Sequence, residues 1–453
     1  MRLRLILPRR RRGAGLRRLR RRRRRGSLRR WAAGAGLALA LALAGCGAGH
    51  RSTSARGEEA RSRPGFGPAF GLTEDNANLL WSPTAQAPAA AAPFLPARRS
   101  LTALHPRYVR LLVDWAALQP SPGVPPTFDA PVDGCARGVQ PCGAYGGIAA
   151  ELAAIASQQR AARAAGEPGF EVVVDVLGAP AWAALPPHGC ETGSAGADAR
   201  PLAAAALPAY RALIEGLAVL GRREGVALPW WSPWNEPNDP RFLSPQRVSC
   251  EPGAGPAAPA VYAELAREMS RALEVADPGA RMLLGELGGY EDGSAHRLSV
   301  AQFVAALPAG ALCLSGTWAV HAYAARGADA SQGNPVAALE AALDARGGCA
   351  ASARIWVTES GAGAPDPGRP RAGGAQEEQG ACRALAGQLL AWSRDPRVEA
   401  IFQYEFRDDP SYPVGLASAD LARLDADYRL WLRLRARPDA NLELSSPQAL
   451  CRA

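Results

Sequence analysis

Two glutamates stand in sequence contexts that would give them different chemical roles. Glu236 is the single acid in residues 230–238, WWSPWNEPN, a stretch with three tryptophans and two prolines. Aromatic neighbours that exclude water should raise the pKa of a carboxyl group, as a general acid working near neutral pH requires. Glu359 follows the apolar run RIWVT at residues 354–358. A proton donor, together with a second carboxylate that attacks carbon or activates water, is what glycosidic-bond hydrolysis requires.

These two positions need a fold that brings distant segments together, and the sequence predicts one. Short apolar runs rich in β-branched and aromatic residues alternate with Ala/Leu/Arg-rich stretches of helical period. Eight strand–helix units predict an α/β protein with a single (β/α)8 TIM barrel. The predicted strands are residues 66–72, 108–115, 171–177, 230–234, 281–285, 317–321, 354–358 and 400–404, and the predicted helices are residues 148–165, 202–223, 260–276, 336–346, 379–393 and 427–435.

The competing architecture is an open doubly wound sheet. Such a sheet usually places a glycine-rich phosphate loop after its first strand, and GFGPAFGLTEDN at residues 65–76 does not fit that pattern. In a barrel, catalytic groups lie where the strands end. Glu236 follows the fourth predicted strand by two residues, and Glu359 ends the seventh. Both carboxylates are therefore expected at one mouth of the barrel.

Two motifs at these strand ends resemble those of clan A glycoside hydrolases. WNEPN follows strand four and WVTESG ends strand seven, as in the retaining (β/α)8 enzymes that include cellulase-like family 5 and family 39. The likeness covers residues 65–435 and extends to PAWA at residues 180–183. It implies that Glu236 is the acid/base residue and that Glu359 is the nucleophile.

The resemblance also implies supporting side chains around the two glutamates. Asn235 matches the asparagine that bonds the sugar 2-hydroxyl, and Arg110 in YVRLLVDW matches the arginine that keeps the nucleophile ionised. His321 and Tyr323, in VHAY, match residues that line the site. Strand eight departs from the pattern, because IFQYEF has no tryptophan to floor the cleavage subsite. Either Tyr404 takes that place, or the sugar is bound differently.

Each assignment has a structural alternative. The tripeptide NEP alone is more often a surface turn, Arg110 alone an ion pair at the core edge, and His321 alone a satisfied interior histidine. Glu286 and Glu405, at other strand ends, can equally brace their neighbours. The tryptophans divide between core positions and sugar-stacking platforms, with about two expected at the mouth and Trp234 expected to contact substrate. Those considered are Trp81, Trp115, Trp182, Trp230, Trp231, Trp234 and Trp356.

The N-terminus has the features of a secretion leader. Sixteen arginines precede residue 31, no acid precedes Cys46, and residues 31–44 form an apolar run too short to span a bilayer comfortably. Leu43-Ala44-Gly45-Cys46 resembles a bacterial lipobox, whose cysteine is diacylated, and a plain secretory signal is the alternative. We expect a lipoprotein signal peptide (1–45), a flexible tether (46–64), the barrel (65–435) and a C-terminal tail (436–453), anchored at the extracytoplasmic face of a bacterial membrane.

Export changes how the eight cysteines after Cys46 are interpreted. An even number in an oxidising compartment favours disulfides, and none of the eight shows the CxxC spacing of a zinc site. Cys135 and Cys142 flank a Gly/Pro-rich loop and are predicted to pair with each other. The pairing of the other six remains open.

The net charge of +10 belongs to the leader. Without its 16 arginines, the 52 basic residues fall to 36, against 42 acidic ones, so the composition gives no indication of nucleic-acid binding. We expect a monomeric retaining glycosidase that uses no metal or cofactor and acts on a β-linked oligo- or polysaccharide. The alternative is a carbohydrate-binding pseudoenzyme on the same barrel, although a receptor would not need both glutamates and their supporting residues.

Overall fold

A computed structural model describes residues 67–80, 94–191, 195–324, 333–363, 371, 373–436 and 445–452; the predicted leader, Cys46, the tether and Trp81 lie outside these ranges. In the barrel, eight strands alternate with eight helices, and shorter elements lie in the connecting loops. Strands β1–β8 are Ala69–Thr73, Tyr108–Asp114, Glu171–Leu177, Trp230–Ser232, Arg281–Met282 continued by Leu284–Leu287, Thr317–His321, Arg354–Ser360 and Val398–Tyr404. Helices α1–α8 are Phe94–Ala103, Gly147–Ala164, Leu207–Glu224, Ala258–Ala276, Val300–Ala306, Pro335–Arg346, Ala375–Ser393 and Ala426–Ala436.

The eight strands form a closed parallel barrel. The order of hydrogen-bonded strands round the barrel is as follows: the first part of β5, then β4, β3, β2, β1, β8, β7, β6 and the second part of β5. Because β5 is interrupted at Leu283, Arg281 and Met282 pair with β4, whereas Leu284 and Leu287 pair with β6. The two edges of the sheet thus belong to one strand, and no edge is left open. The predicted (β/α)8 barrel is confirmed.

Element boundaries follow the local sequence. Strand β4 ends at Ser232 because Pro233 has no N–H to donate to a ladder. Helix α4 begins two residues before its predicted start, since Pro259 occupies the first turn, where a missing N–H costs nothing. Helices α1 and α5 were not predicted. The capping box between Ser299 and Gln302 at the start of α5 is the signal that would have found that helix.

The inward-facing strand positions form two layers. The lower layer is apolar and consists of Tyr108, Val173, Trp230, Leu283, Ala319, Trp356, Ala400 and Phe402. The Trp356 ring centroid lies 4.6 Å from that of Tyr108 and 4.5 Å from that of Trp230, so aromatic rings close the barrel below. Two residues further along most of these strands, the inward positions are polar and buried: Arg110, Asp175, Ser232, Glu286, His321 and Thr358.

A second core lies between the barrel and its helices. Trp231 and Trp234 belong to this outer core, with Leu213 and Leu217 of α3. Within the described ranges, one segment, Ala204–Glu224, is long and apolar enough to cross a membrane, and half of it is buried in the protein. Its buried side is the face of α3 that covers the barrel.

Four disulfides tie loops and helices outside the barrel. They are Cys135–Cys142, Cys190–Cys250, Cys313–Cys349 and Cys382–Cys451. The predicted Cys135–Cys142 pair is confirmed. Cys382 lies on α7, so its disulfide holds the short helix Pro447–Leu450, within the predicted tail, against the barrel.

Candidate active site

Glu359 lies at the C-terminal end of β7 and is held by two donors. Its Oε1 accepts a hydrogen bond from Arg110 Nη1 at 2.8 Å, and its Oε2 accepts one from the Tyr323 hydroxyl at 2.5 Å. Burial raises the pKa of Tyr323 well above its usual value, and the nearby charge of Glu359 adds to this rise. The phenol therefore stays protonated and donates a hydrogen bond to the carboxylate.

Arg110 connects four strands through one guanidinium. Besides Glu359 on β7, its Nη2 lies 2.8 Å from Asn235 Oδ1, 3.0 Å from Asp175 Oδ2 and 3.1 Å from Glu286 Oε2. Burial alone would lower the pKa of Arg110, but the surrounding carboxylates raise it above its ordinary value. The group is therefore a fixed cation that orients the site, rather than an ion pair at the edge of the core.

His321 lies between three carboxylates. Its Nδ1 is 2.8 Å from Glu236 Oε1 and 3.3 Å from Glu359 Oε2, and its Nε2 is 3.0 Å from Glu286 Oε2. Burial alone would lower the pKa of His321, but the three carboxylates outweigh burial and raise that pKa to about 10. His321 is consequently an imidazolium at neutral pH, with both nitrogens donating.

The raised pKa of His321 predicts a specific loss of stability at alkaline pH. A pKa raised from 6.5 to about 10 adds at most about 5 kcal/mol to the free energy of unfolding. That contribution is complete below pH 6.5 and is lost as the pH rises through 10. We expect the wild type to lose its advantage over His321→Gln across this interval, as measured by urea unfolding at pH 6, 8 and 10.5. A difference that stays constant with pH would contradict a charged His321.

Glu236 has an environment that the sequence did not predict. Its φ of +35° lies in the left-handed region that non-glycine residues rarely adopt, a form of strain that concentrates at functional sites. Its Oε1 contacts His321, and its Oε2 lies 3.6 Å from Arg241 Nη2. The prediction of an apolar environment is therefore wrong: the nearest charged side chains are cations. One carboxylate oxygen of Glu236 lies within 4.8 Å of one of Glu359.

The tryptophans next to Glu236 in sequence do not form its surroundings. Trp234 is 1% exposed, and its Nε1 donates to the carbonyl of Phe242 at 2.7 Å. The predicted substrate contact of Trp234 is thus corrected: this side chain supports the loop from below. Of the candidate platforms within the described ranges, Trp182 alone is partly exposed, and the others are buried: Trp115, Trp230, Trp231, Trp234 and Trp356.

Tyrosines, rather than tryptophans, are the partly exposed aromatic residues beside Glu359. Tyr404 ends β8, and its ring centroid lies 6.3 Å from those of both Tyr323 and Tyr412. The Tyr412 ring is closer to Tyr323, at 4.9 Å and nearly perpendicular to it. Sequence reasoning did not single out Tyr412, which follows β8 by eight residues in DDPSYP.

Glu286 supports the site from β5. Its Oε1 accepts from Ser232 Oγ at 2.6 Å, and its Oε2 accepts from Thr358 Oγ1 at 2.6 Å. Burial alone would raise the pKa of Glu286, but Arg110 and His321 lower it to about 2. Glu286 therefore braces the cations that hold the two other glutamates. Asp175, which also contacts Arg110, was missed, although an isolated acid inside the apolar strand EVVVDVL was a visible signal.

Glu405 braces the junction of β1 and β8. Its Oε2 accepts from Asn76 Nδ2 at 3.0 Å, while Glu74 Oε2 accepts from the backbone N–H of Phe406 at 2.8 Å. Burial raises the pKa of both Glu74 and Glu405. Both side chains are buried and bind the loop after β1 to the loop after β8.

Two groups of donors within the described ranges are close enough to suggest a metal site. In the first, Glu236, His321 and Glu359, the imidazolium uses both nitrogens as donors to carboxylates and has no lone pair to offer. In the second, Cys190, Cys250 and His296, the two sulfur atoms are bonded to each other. Neither arrangement, as it stands, presents a ligand set.

No family model matches the chain, and no curated protein sequence matches it. Solved structures are similar to it. SrfJ from Salmonella typhimurium aligns with a TM-score of 0.51 at 10% identity, over 85% of this chain and 76% of SrfJ. This likeness shows a shared fold.

Two further similar structures are of glycoside hydrolases. A family 39 glycoside hydrolase from Bacteroides cellulosilyticus aligns with a TM-score of 0.48 at 15% identity, over 81% of this chain and 63% of the other. The chain therefore spans less than two thirds of that enzyme. A subfamily 18 member of family 5 from Streptomyces cattleya, in complex with GlcNAc, aligns with a TM-score of 0.48 at 18% identity, over 84% and 82% of the two chains.

Proposed function

We propose that this protein is a retaining glycoside hydrolase that cleaves β-linked oligo- or polysaccharides. The observation that carries the proposal is the separation of Glu236 and Glu359, whose nearest carboxylate oxygens lie within 4.8 Å. Retaining glycosidases have carboxyl groups about 5–5.5 Å apart, whereas inverting enzymes leave about 6.5–9.5 Å for a water molecule between them. The short separation favours direct attack by a carboxylate.

The proposed reaction has two steps. Glu359 attacks the anomeric carbon and forms a glycosyl ester, while the bond to the leaving oxygen breaks and Glu236 gives that oxygen a proton. Water then attacks the same carbon, Glu236 takes a proton from this water, and the ester bond to Glu359 breaks. Both side chains return to their starting states.

The supporting contacts fit these roles. Arg110 and Tyr323 each donate to one oxygen of Glu359, which fixes the carboxylate for attack. Arg110 also holds the Asn235 amide through its oxygen, so the NH2 group is the part of Asn235 that would donate to the sugar 2-hydroxyl. Tyr404 and Tyr412 would contact the sugar in place of the missing tryptophan.

The stereochemistry of the product tests this proposal. We expect the first product formed from a β-glycoside to be the β anomer, because two displacements at one carbon restore its configuration. Proton NMR spectra recorded in the first minutes, before mutarotation, distinguish the anomers. An α product would instead assign Glu359 the role of a general base that activates water.

We also propose that the protein is exported and anchored through Cys46, on the basis of the lipobox resemblance. The four disulfides support an oxidising compartment. The wild type should incorporate radiolabelled fatty acid and partition with membranes, and Cys46→Ser should do neither. Labelling that survives the substitution would rule out attachment at Cys46.

A further inference from the structure

Arg241, on the Glu236 side of the mouth, is both fixed in place and open to solvent. Its Nε lies 3.0 Å from Asp239 Oδ1, and its Nη2 lies 2.9 Å from Asp239 Oδ2 and 3.1 Å from the Tyr290 hydroxyl. The side chain is nevertheless 69% exposed. Nη1 forms no hydrogen bond within the part of the chain that the structure describes. The guanidinium is therefore positioned by the protein with one donor group still available.

The position of Arg241 relative to Glu236 places it beside the leaving group. Oε1 of Glu236 is hydrogen-bonded to His321. Among the contacts of the described residues, the nearest polar neighbour of Oε2 is Arg241 Nη2, at 3.6 Å. Oε2 is thus the oxygen available to protonate the glycosidic oxygen. A productive substrate has its leaving oxygen within hydrogen-bond distance of that atom, so the group attached to it must pass next to Arg241.

A second arginine extends this cationic surface. The Arg297 guanidinium lies 3.9 Å from the ring centroid of Tyr290, the residue whose hydroxyl contacts Arg241. Arg297 Nε is buried and has no hydrogen-bond partner within the described ranges. Asp239 pairs with this charge, but it is 3% exposed while Arg241 is open to solvent, so the guanidinium is the member of the pair that faces an approaching ligand. The loops after β4 and β5 therefore present two guanidinium groups around one tyrosine.

We propose that Arg241, with Tyr290 and Arg297, forms a leaving-group subsite that selects substrates carrying a carboxylate on the leaving group, such as an acidic sugar or an aromatic acid. The remaining Nη1 group of Arg241 can donate a charged hydrogen bond to a carboxylate oxygen, and the attachment of the guanidinium to Asp239 reduces the entropy lost on binding. The proposal rests on the proposed glycosidase function, since it takes Glu236 as the proton donor.

The test compares two aryl β-glycosides that differ in one charge. Their leaving groups are 4-hydroxyphenylacetate and its methyl ester, in which a methylene separates the carboxyl group from the phenol. We expect the wild type to favour the carboxylate by about tenfold in kcat/KM at low salt, the size of one charged hydrogen bond. The preference should fall to about one in Arg241→Gln and should weaken in the wild type at high salt.

Arg247→Gln is the matched control. It removes the same charge from the same loop, but Arg247 contacts Ser294, Ala254 and Gln302 rather than Glu236 or Tyr290. The preference for carboxylate should persist in this variant. A wild-type ratio near one, or a ratio unchanged by Arg241→Gln, would overturn the proposed subsite while leaving the glycosidase function intact.

Absence of hydrolysis has a separate meaning. If these leaving groups are not cleaved from any β-glycoside tested, the proposed function fails, and titration of 4-hydroxyphenylacetate and its methyl ester, followed by NMR, then decides the subsite alone. Binding of the acid that is lost in Arg241→Gln but kept in Arg247→Gln would support an anion site. Equal binding of acid and ester to the wild type would rule out the proposed anion site.

Discussion

Replacement of Glu359 with glutamine should lower kcat by at least about 10⁴-fold on every glycoside that the wild type cleaves, because no carboxylate remains to attack the anomeric carbon. The amide is nearly the same size, its oxygen can still accept from Arg110, and its NH2 group can donate to the Tyr323 hydroxyl, so the fold should be retained. The loss should be equal for good and poor leaving groups. Initial rates with a series of aryl β-glycosides measure it.

Glu399 provides a matched control for this substitution. It lies on β8 near the opposite, N-terminal end of the barrel, where its side chain is 46% exposed beside Arg354. Glu399→Gln makes the same chemical change and should leave kcat unchanged. Substantial activity in Glu359→Gln, with circular dichroism showing a folded protein, would show that Glu359 is not the nucleophile.

Replacement of Glu236 with alanine should have an effect that depends on the leaving group. A lost general acid slows cleavage of substrates with poor leaving groups by roughly 10²–10⁴-fold. Dinitrophenyl glycosides need no proton on departure, so their first step should be nearly spared. The second step then becomes slow, because no base activates the water, and a burst of dinitrophenol equal to the enzyme concentration should precede a slow steady state.

Azide should restore turnover of the same variant. The anion needs no deprotonation, and it can attack the glycosyl ester from the space left by the Glu236 side chain, next to the cations His321 and Arg241. The product should be a β-glycosyl azide, identified by NMR. An α-glycosyl azide, or a rate that azide does not change, would contradict the assignment of Glu236 as acid/base.

Much of the barrel could be predicted because each strand is short, apolar and separated from the next by a helical pattern. The positions at which strands end also follow from local chemistry, as at Pro233, just after the last residue of β4. The disulfides show which contacts the local sequence cannot predict. Cys135 and Cys142 are seven residues apart, but the other partners are 36 to 69 residues apart, and only the folded chain brings them together.

The positions of the site residues were predictable, but their environments were not. Glu236, Glu359, Arg110, His321 and Tyr323 converge as expected, because the strand ends of a barrel share one mouth. The predicted aromatic surroundings of Glu236 failed because Trp231 and Trp234 point into the outer core. Closure of the barrel, which no local pattern encodes, brings His321 from β6 to Glu236.

The aromatic layer beneath the site limits the routes by which small molecules can reach and leave it. The barrel is closed below the polar layer by Tyr108, Trp230, Trp356 and Phe402. In the proposed mechanism, the water of the second step would therefore enter by the opening through which the first product departs. Any alcohol that reaches this opening competes with that water for the glycosyl ester. At high sugar concentration, the same architecture would build glycosidic bonds as well as break them.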